Sequence, residues 1–174
     1  MNIPAKREYL KALLVCESYH HSNTQKVAQV IAKTLDAEIK KPQEVDPSET
    51  ADYSLIGFGS GIYFGKHHGS ILKLVDKLPQ GNNKTVFIFS TSGEEGKIEG
   101  FHRKLHRKLE EKGYNILDEF NCAGYDTFLF NKVVGGISKG RPNQEDLNAA
   151  QIFGEKLKRT YNVLLLCDRP SSSK

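Results

Sequence analysis

The apolar run Ala12-Leu-Leu-Val-Cys16 breaks into a polar stretch at residues 17–25, and Val27, Val30, Ile31 and Leu35 then repeat at helical spacing. A strand that passes through a short loop straight into a helix constrains the fold strongly. The helix has to cross back over a sheet, so the next strand lies parallel to the first. The spacing predicts a helix beginning at Ser22, whose hydroxyl is placed to cap the free amides while Gln25 reaches back. Strand, hydroxyl-rich loop and helix N-terminus together form an anion site. The positive end of the helix dipole and its unpaired N–H groups favour a phosphate, with Ser18, Ser22, Asn23 and Thr24 offering side-chain hydrogen bonds. No Walker lysine motif and no Gly-x-Gly-x-x-Gly occurs, which argues against a P-loop or a dinucleotide fingerprint.

The pattern then repeats along the chain. Residues 37–40 read as a short edge strand, followed by a Pro-, Asp- and Ser-rich link ending at Asp52. A strand at 53–58 runs into a glycine-dense loop at 59–65 that carries Tyr63 and Phe64, and a helix with Ile71, Leu74 and Val75 follows. Residues 85–90, Thr-Val-Phe-Ile-Phe-Ser, form the clearest strand, near-continuously apolar and therefore central with both faces covered. A polar loop at 91–96 leads to a helix predicted to bury Phe101, Leu105 and Leu109 and to stop at Gly113. Residues 115–123 supply the last strand and 124–141 a long connection. Pro142 and Asn143 open a final helix, with Asn143 as the cap and Asp146 in the first turn.

Five strands alternating with helices define an α/β class: a doubly wound, five-stranded parallel sheet with helices on both faces. At 174 residues, 38% hydrophobic and 26% charged, the chain suits one core. The expected organisation is an N-terminal arm at 1–9, a single domain at 10–161 and a tail at 162–174. The apolar run Val163-Leu-Leu-Leu166 would pack there as a flap on the core or between two subunits of a homodimer, and the last four residues would be mobile. No apolar run approaches the roughly 20 residues needed to cross a bilayer, and the first residues lack a signal-peptide core, so a cytoplasmic protein without a membrane span is expected. Cys16, Cys122 and Cys167 are widely spaced and read as reduced thiols, the first two buried in strands. A net charge of +4 is mild, and no nucleic-acid motif accompanies it.

Three passages resemble the flavodoxin-like family. Ser18-x-x-x-Ser22-Asn23-Thr24 looks like its phosphate loop, Gly57-Phe-Gly-Ser-Gly61-Ile-Tyr63-Phe64-Gly65 like its first flavin-flanking loop, and Thr91-Ser92-Gly93 like its second. The resemblance covers roughly residues 10–160. It implies strand order 2-1-3-4-5 with FMN at the switch point between the first and third strands. It also implies cofactor-binding roles for Ser18, His20, Ser22, Asn23, Thr24, Ser60, Gly61, Ile62, Tyr63, Phe64, Thr91, Ser92 and Gly93. Tyr63 is the first choice for stacking on the isoalloxazine, and Ser92 and Gly93 would offer backbone amides to its pyrimidine edge. Ser22 stands where flavodoxins commonly have glycine, and the loop carrying His20 and His21 is one residue longer.

The resemblance implies an electron-transfer protein shuttling electrons between redox partners such as a ferredoxin or a reductase, with no side chain as a catalytic base. An FMN-dependent oxidoreductase of quinone reductase or protoporphyrinogen-oxidising type is the alternative, and a flavin-free protein-binding module is a third reading. His102 and His106, four apart with Glu99 three before, have a spacing that can hold a metal. Arg103, Lys104, Arg107 and Lys108 on the same helix oppose a cation, so no metal and a solvated basic face are expected, which an acidic partner would find by steering. His67 and His68 open the preceding helix and read as surface residues.

Overall fold

The computed structural model describes residues 10–19, 21–94, 96–127 and 135–167. The arm at 1–9, His20 and the last four residues, named above, lie outside the described residues. The strands are β1 (Ala12–Glu17), β2 (Glu38–Lys40), β3 (Leu55–Tyr63), β4 (Lys66–His67), β5 (Thr85–Ser92) and β6 (Asn115–Ala123). Five of them form a sheet in the order β2-β1-β3-β5-β6, every neighbouring pair parallel. This is the expected doubly wound order, with one addition: β4 pairs antiparallel with the end of β3.

That addition corrects the reading of residues 59–65 as a loop. β3 continues through the glycines to Tyr63 and turns back at Phe64 and Gly65, both with positive φ, 51° and 72°. Two successive left-handed residues make a turn whose twist matches that of the flanking strands, so the glycine-dense segment closes a hairpin. β5 likewise extends through Thr91 and Ser92, which the sequence pattern placed in the following loop.

Among the described residues, four α-helices cover the sheet. Helices α1 (Asn23–Leu35) and α4 (Gln144–Cys167) pack on one face, over Leu14, Cys16, Phe87 and Phe89. Helices α2 (Gly69–Lys77) and α3 (Ile98–Glu111) pack on the other, over Val15, Phe58 and Ile88. Burial on both faces is why the central strands read as apolar runs without alternation. Burial drives the Cys16 thiol up to about 12, which leaves it protonated and inert. In α3 the inward row is His102, Leu105 and Leu109, with Phe101 only half-buried, so the predicted buried row begins one residue late.

The last helix begins as its sequence requires. Asn143 Oδ1 accepts from the amides of Glu145 and Asp146, and Asp146 Oδ2 accepts from the Asn143 amide at 2.7 Å. The apolar run 163–166, expected in a tail beyond the helix, lies inside α4. Residues 155–167 contain no glycine or proline to stop propagation, and Tyr161 is buried against the core.

Two glycines in β3 meet two phenylalanines in β5. Gly57 pairs with Phe87 and Gly59 with Phe89, and each ring lies over its glycine. A Cβ on Gly57 would come within 2.3 Å of the Phe87 ring, and one on Gly59 within 2.2 Å of the Phe89 ring. The rings fill the space that side chains on β3 would occupy, and Phe87 also meets Phe153 of α4 edge-on.

The last strand contains one irregularity, between the partners of Val86 and Phe87. Leu117 and Asp118 both turn toward α4, Leu117 into the core there and Asp118 to Lys156 at 2.7 Å. This extra residue is a β-bulge. Beyond it Phe120 faces α4, whereas Glu119 and Asn121 align with Ile88 and Ser90 on the α3 side. Gly59→Ala is expected to lower the unfolding free energy by about 1–3 kcal/mol through overpacking against Phe89. Urea titration of the variant against the parent measures it, and an unchanged midpoint would contradict this packing.

Candidate cofactor-binding site

Every loop that the sequence singled out leaves the carboxyl end of a parallel strand, and those ends gather at one edge of the sheet. The cleft there is lined by Ser18, Asn23, Thr24, Gly61, Ile62, Tyr63, Thr91, Ser92 and Gly93, together with Gly124, Tyr125 and Asp126. It sits where the strand order reverses between β1 and β3, the position at which open α/β sheets leave a crevice. A wider concavity lies among residues of the opposite strand ends, including Lys84 and Tyr114, and none of those loops reaches it. There the Lys84 ammonium is held by the carbonyls of Thr50, Ala51 and Tyr53.

Hydrogen bonds tie the loops of the cleft together. Thr24 Oγ1 and Thr91 Oγ1 are 2.8 Å apart and buried, joining the first turn of α1 to the end of β5. Asn23 Nδ2 donates to the Tyr125 carbonyl at 2.8 Å, while Asn23 Oδ1 is buried without a partner. Ser138 Oγ donates to the Gly93 carbonyl at 2.8 Å, and Asp126 and Ile137 form an antiparallel bridge. Gly93 is required by closeness: a Cβ there would lie 2.5 Å from Ile137 Cδ1.

The start of α1 differs from its predicted form. Ser22 has φ 53° and ψ 27°, left-handed, and makes no side-chain cap hydrogen bond. A cap needs an extended backbone to aim its oxygen at the second or third amide, and a left-handed one turns it away. The α1 N-terminus therefore presents its amides uncapped by that side chain, with the positive end of the dipole behind them. Ser22 is exposed and does not line the cleft.

Three further expected residues stand apart. Ser60 is wholly buried on the α3 side of β3, accepts from the His68 amide at 2.9 Å and lies 3.0 Å from His67 Nδ1. Phe64 is 76% exposed at the hairpin tip, away from the cleft lining. His20 lies outside the described residues. Gly124, Tyr125 and Asp126 escaped the sequence reading, although their place directly after the last strand was a usable signal.

The histidines also differ from expectation. His67 is 1% exposed, and burial, with a smaller contribution from His102, pushes its pKa well below the usual histidine value. His68 caps α2, its Nδ1 accepting from the Ser70 amide at 3.2 Å, and its ring lies between Tyr19 and Tyr63. His102 is buried and hydrogen-bonded to Ser90 and Glu119, whereas Arg103, Lys104 and Arg107 are exposed and Lys108 is half-buried, paired with Asp76 of α2. Among the described residues no group of three or more His, Cys, Asp or Glu side chains is arranged to hold a metal ion. Among them, too, no helix is long and apolar enough to cross a membrane.

Comparison with known proteins agrees with the topology. The flavodoxin domain family matches residues 14–125. An uncharacterized protein of Methanocaldococcus jannaschii is 47% identical over 148 residues, 85% of this chain and 98% of that one. Among solved structures, flavodoxin 2 of Bacillus cereus superposes with a TM-score of 0.65 at 17% identity, covering 86% of this chain and 99% of that one. A flavodoxin from the domain Archaea gives 0.63 at 18% identity, with 87% and 99% covered. The rubredoxin:oxygen oxidoreductase of Desulfovibrio gigas gives 0.64 at 14% identity, with 89% of this chain but only 37% of that one. The fold is that of an open α/β sheet with its crevice at the switch point. The chain belongs to the flavodoxin domain family.

The buried His67 carries a pH prediction. Its folded-state pKa is lowered, so the unfolded chain binds the proton more readily, and the stability contribution is full above about pH 6.5 and lost as pH falls below it. Urea unfolding at pH 7.5 and 5.5 is expected to show a loss that His67→Gln reduces. An equal loss in both proteins would contradict the assignment.

Proposed function

We propose that the protein binds FMN in this cleft and carries electrons between redox partners. The observation that carries the reading is the convergence of three features on one crevice. These are the α1 N-terminus without its serine cap, the buried unpartnered Asn23 Oδ1, and the ends of β3 and β5, paired as far as Gly61 and Thr91, with Thr24–Thr91 tying α1 to them. Polar groups that a fold leaves unmatched at a switch point suit a ligand bearing phosphate and hydroxyls.

The α1 amides with Ser18, Asn23 and Thr24 would hold the phosphate, Tyr63 would lie against the isoalloxazine, and the backbone of Ser92 and Gly93 would meet its pyrimidine edge. Tyr125, flanked by the His21 ring at 4.5 Å, joins this set from the loop after β6. The flavin supplies the redox chemistry by taking and releasing electrons, while the chain binds it and limits solvent access. Arg103, Lys104 and Arg107 on the exposed side of α3 offer an acidic redox protein a steering surface.

The visible absorption spectrum after incubation with FMN and desalting tests the reading. Persistent flavin bands, with FMN released on denaturation, are the expected result, and a colourless protein would overturn it. Tyr63→Ala is expected to weaken FMN binding by about tenfold, corresponding to roughly 1.4 kcal/mol of lost stacking and contact area, measured by fluorescence titration.

A further inference from the structure

Behind the cleft, on the α3 side of the sheet, lies a polar network enclosed by apolar side chains. Ser60 of β3 and Ser90 of β5 are register partners, both wholly buried, and each meets a histidine. Ser60 Oγ lies 3.0 Å from His67 Nδ1, Ser90 Oγ lies 2.7 Å from His102 Nε2, and the two imidazole rings are 4.9 Å apart. His102 Nδ1 lies 2.7 Å from Glu119 Oε2, and the other oxygen of that carboxylate lies 3.2 Å from His106 Nε2. His106 is 37% exposed and borders a groove of about 390 Å³ between α3 and β6. The network therefore runs from solvent to the cleft wall: Asn121 Nδ2 donates both to Ser90 Oγ at 2.9 Å and to Ser92 Oγ at 3.0 Å, and Ser92 lines the cleft.

Ser90, His102 and Glu119 have the contacts of a nucleophile, base and orienting carboxylate. A hydrolytic role is ruled out by burial, because Ser90 has no exposed surface and already accepts the Asn121 amide. Ser90 Oγ thus stands between the Asn121 amide, which donates to it, and His102 Nε2, while His102 Nδ1 faces a Glu119 oxygen at hydrogen-bond distance, so imidazole and carboxylate are placed to share a proton.

We propose that the His102–Glu119 pair gains proton affinity, and draws a proton from solvent past His106, when a flavin in the adjoining cleft accepts one electron. This rests on the cofactor reading above. The electron comes from the redox donor; an O–H bond of a hydronium ion or buffer acid breaks and one N–H or O–H bond forms within the pair, which gains one positive charge for each proton it takes up. A negative charge placed on the order of 10 Å from such a pair, at an effective dielectric constant of about 20, raises its proton affinity on the order of tenfold. The other charged and titratable groups around the pair come from several elements. His67 of β4 is held neutral by burial. On α3, Glu99, Arg103 and Arg107 border the groove, and Glu110 is 3.2 Å from His106 Nδ1. Asp76 of α2 is paired with Lys108.

Nitrogen-15 NMR of the imidazoles in the FMN-loaded full chain, oxidised and after reduction, tests this at one fixed pH near neutrality. The expected result is a rise of about tenfold in the protonated-to-neutral ratio of His102 on reduction, and a lower ratio in both redox states in Glu119→Gln, which keeps an acceptor for Nδ1 but removes the carboxylate charge that favours the protonated ring. An equal ratio in the two redox states overturns the proposal while leaving FMN binding intact. An unchanged ratio in Glu119→Gln relative to the parent also overturns it, because the carboxylate would then have no share in holding the proton. If the protein takes up no FMN, the cofactor reading fails and the proposal fails with it. Should Glu119→Gln not fold, the comparison of redox states in the parent protein decides alone.

Discussion

Two phenyl rings lying over two glycines set the middle of this molecule. Phe87 and Phe89 of β5 occupy the space left open by Gly57 and Gly59 of β3, so the central strand pair lies in one register. A slip of one residue would turn those rings to the opposite face and leave the glycines uncovered. With this pair fixed, the ends of β3 and β5 emerge side by side, and Gly61 and Thr91 are register partners at the lip of the cleft. The same register brings Ser60 opposite Ser90.

The two layers on either side of the sheet take different parts in the site. On the α1 side, Thr24 and Asn23 reach across to Thr91 and Tyr125, so the helix N-terminus is tied to the strand ends it faces. On the α3 side, the apolar row Phe58 and Ile88 gives way one pair later to Ser60 and Ser90, and the helix answers with His102. Polar side chains thus approach the same crevice from both layers. They are hydrogen-bonded to one another, as burial demands, except at Asn23 Oδ1 and His67 Nε2.

Much of this was legible in the sequence. Residues 115–123 and 85–90 read as strands because apolar and β-branched side chains dominate them, and Asn143 with Asp146 announced α4. The order of the polar loops was enough to place a cleft at the strand ends. What escaped depended on long-range partners or on backbone angles. The segment 59–65 reads as a loop by its glycines, yet their absent side chains suit a strand lying beneath aromatic rings. Ser22 is a good cap by residue type, but its left-handed φ removes it from that role. His102 sits between basic residues in the sequence, and its burial becomes evident only with Glu119 and Ser90 beside it.

The bulge in β6 gives an edge strand two characters. Before the extra residue Ile116 serves the apolar layer under α3, and after it Glu119 and Asn121 face that layer while Phe120 serves the opposite one. The phase of inside and outside is thus reset within a single strand by one residue. Removing a residue at Leu117–Asp118 would behave like a frame error, exchanging carboxylate and phenyl across the sheet and placing each in the wrong solvent. An outer strand ordinarily tolerates change in length; here its length is bound to the chemistry of both layers.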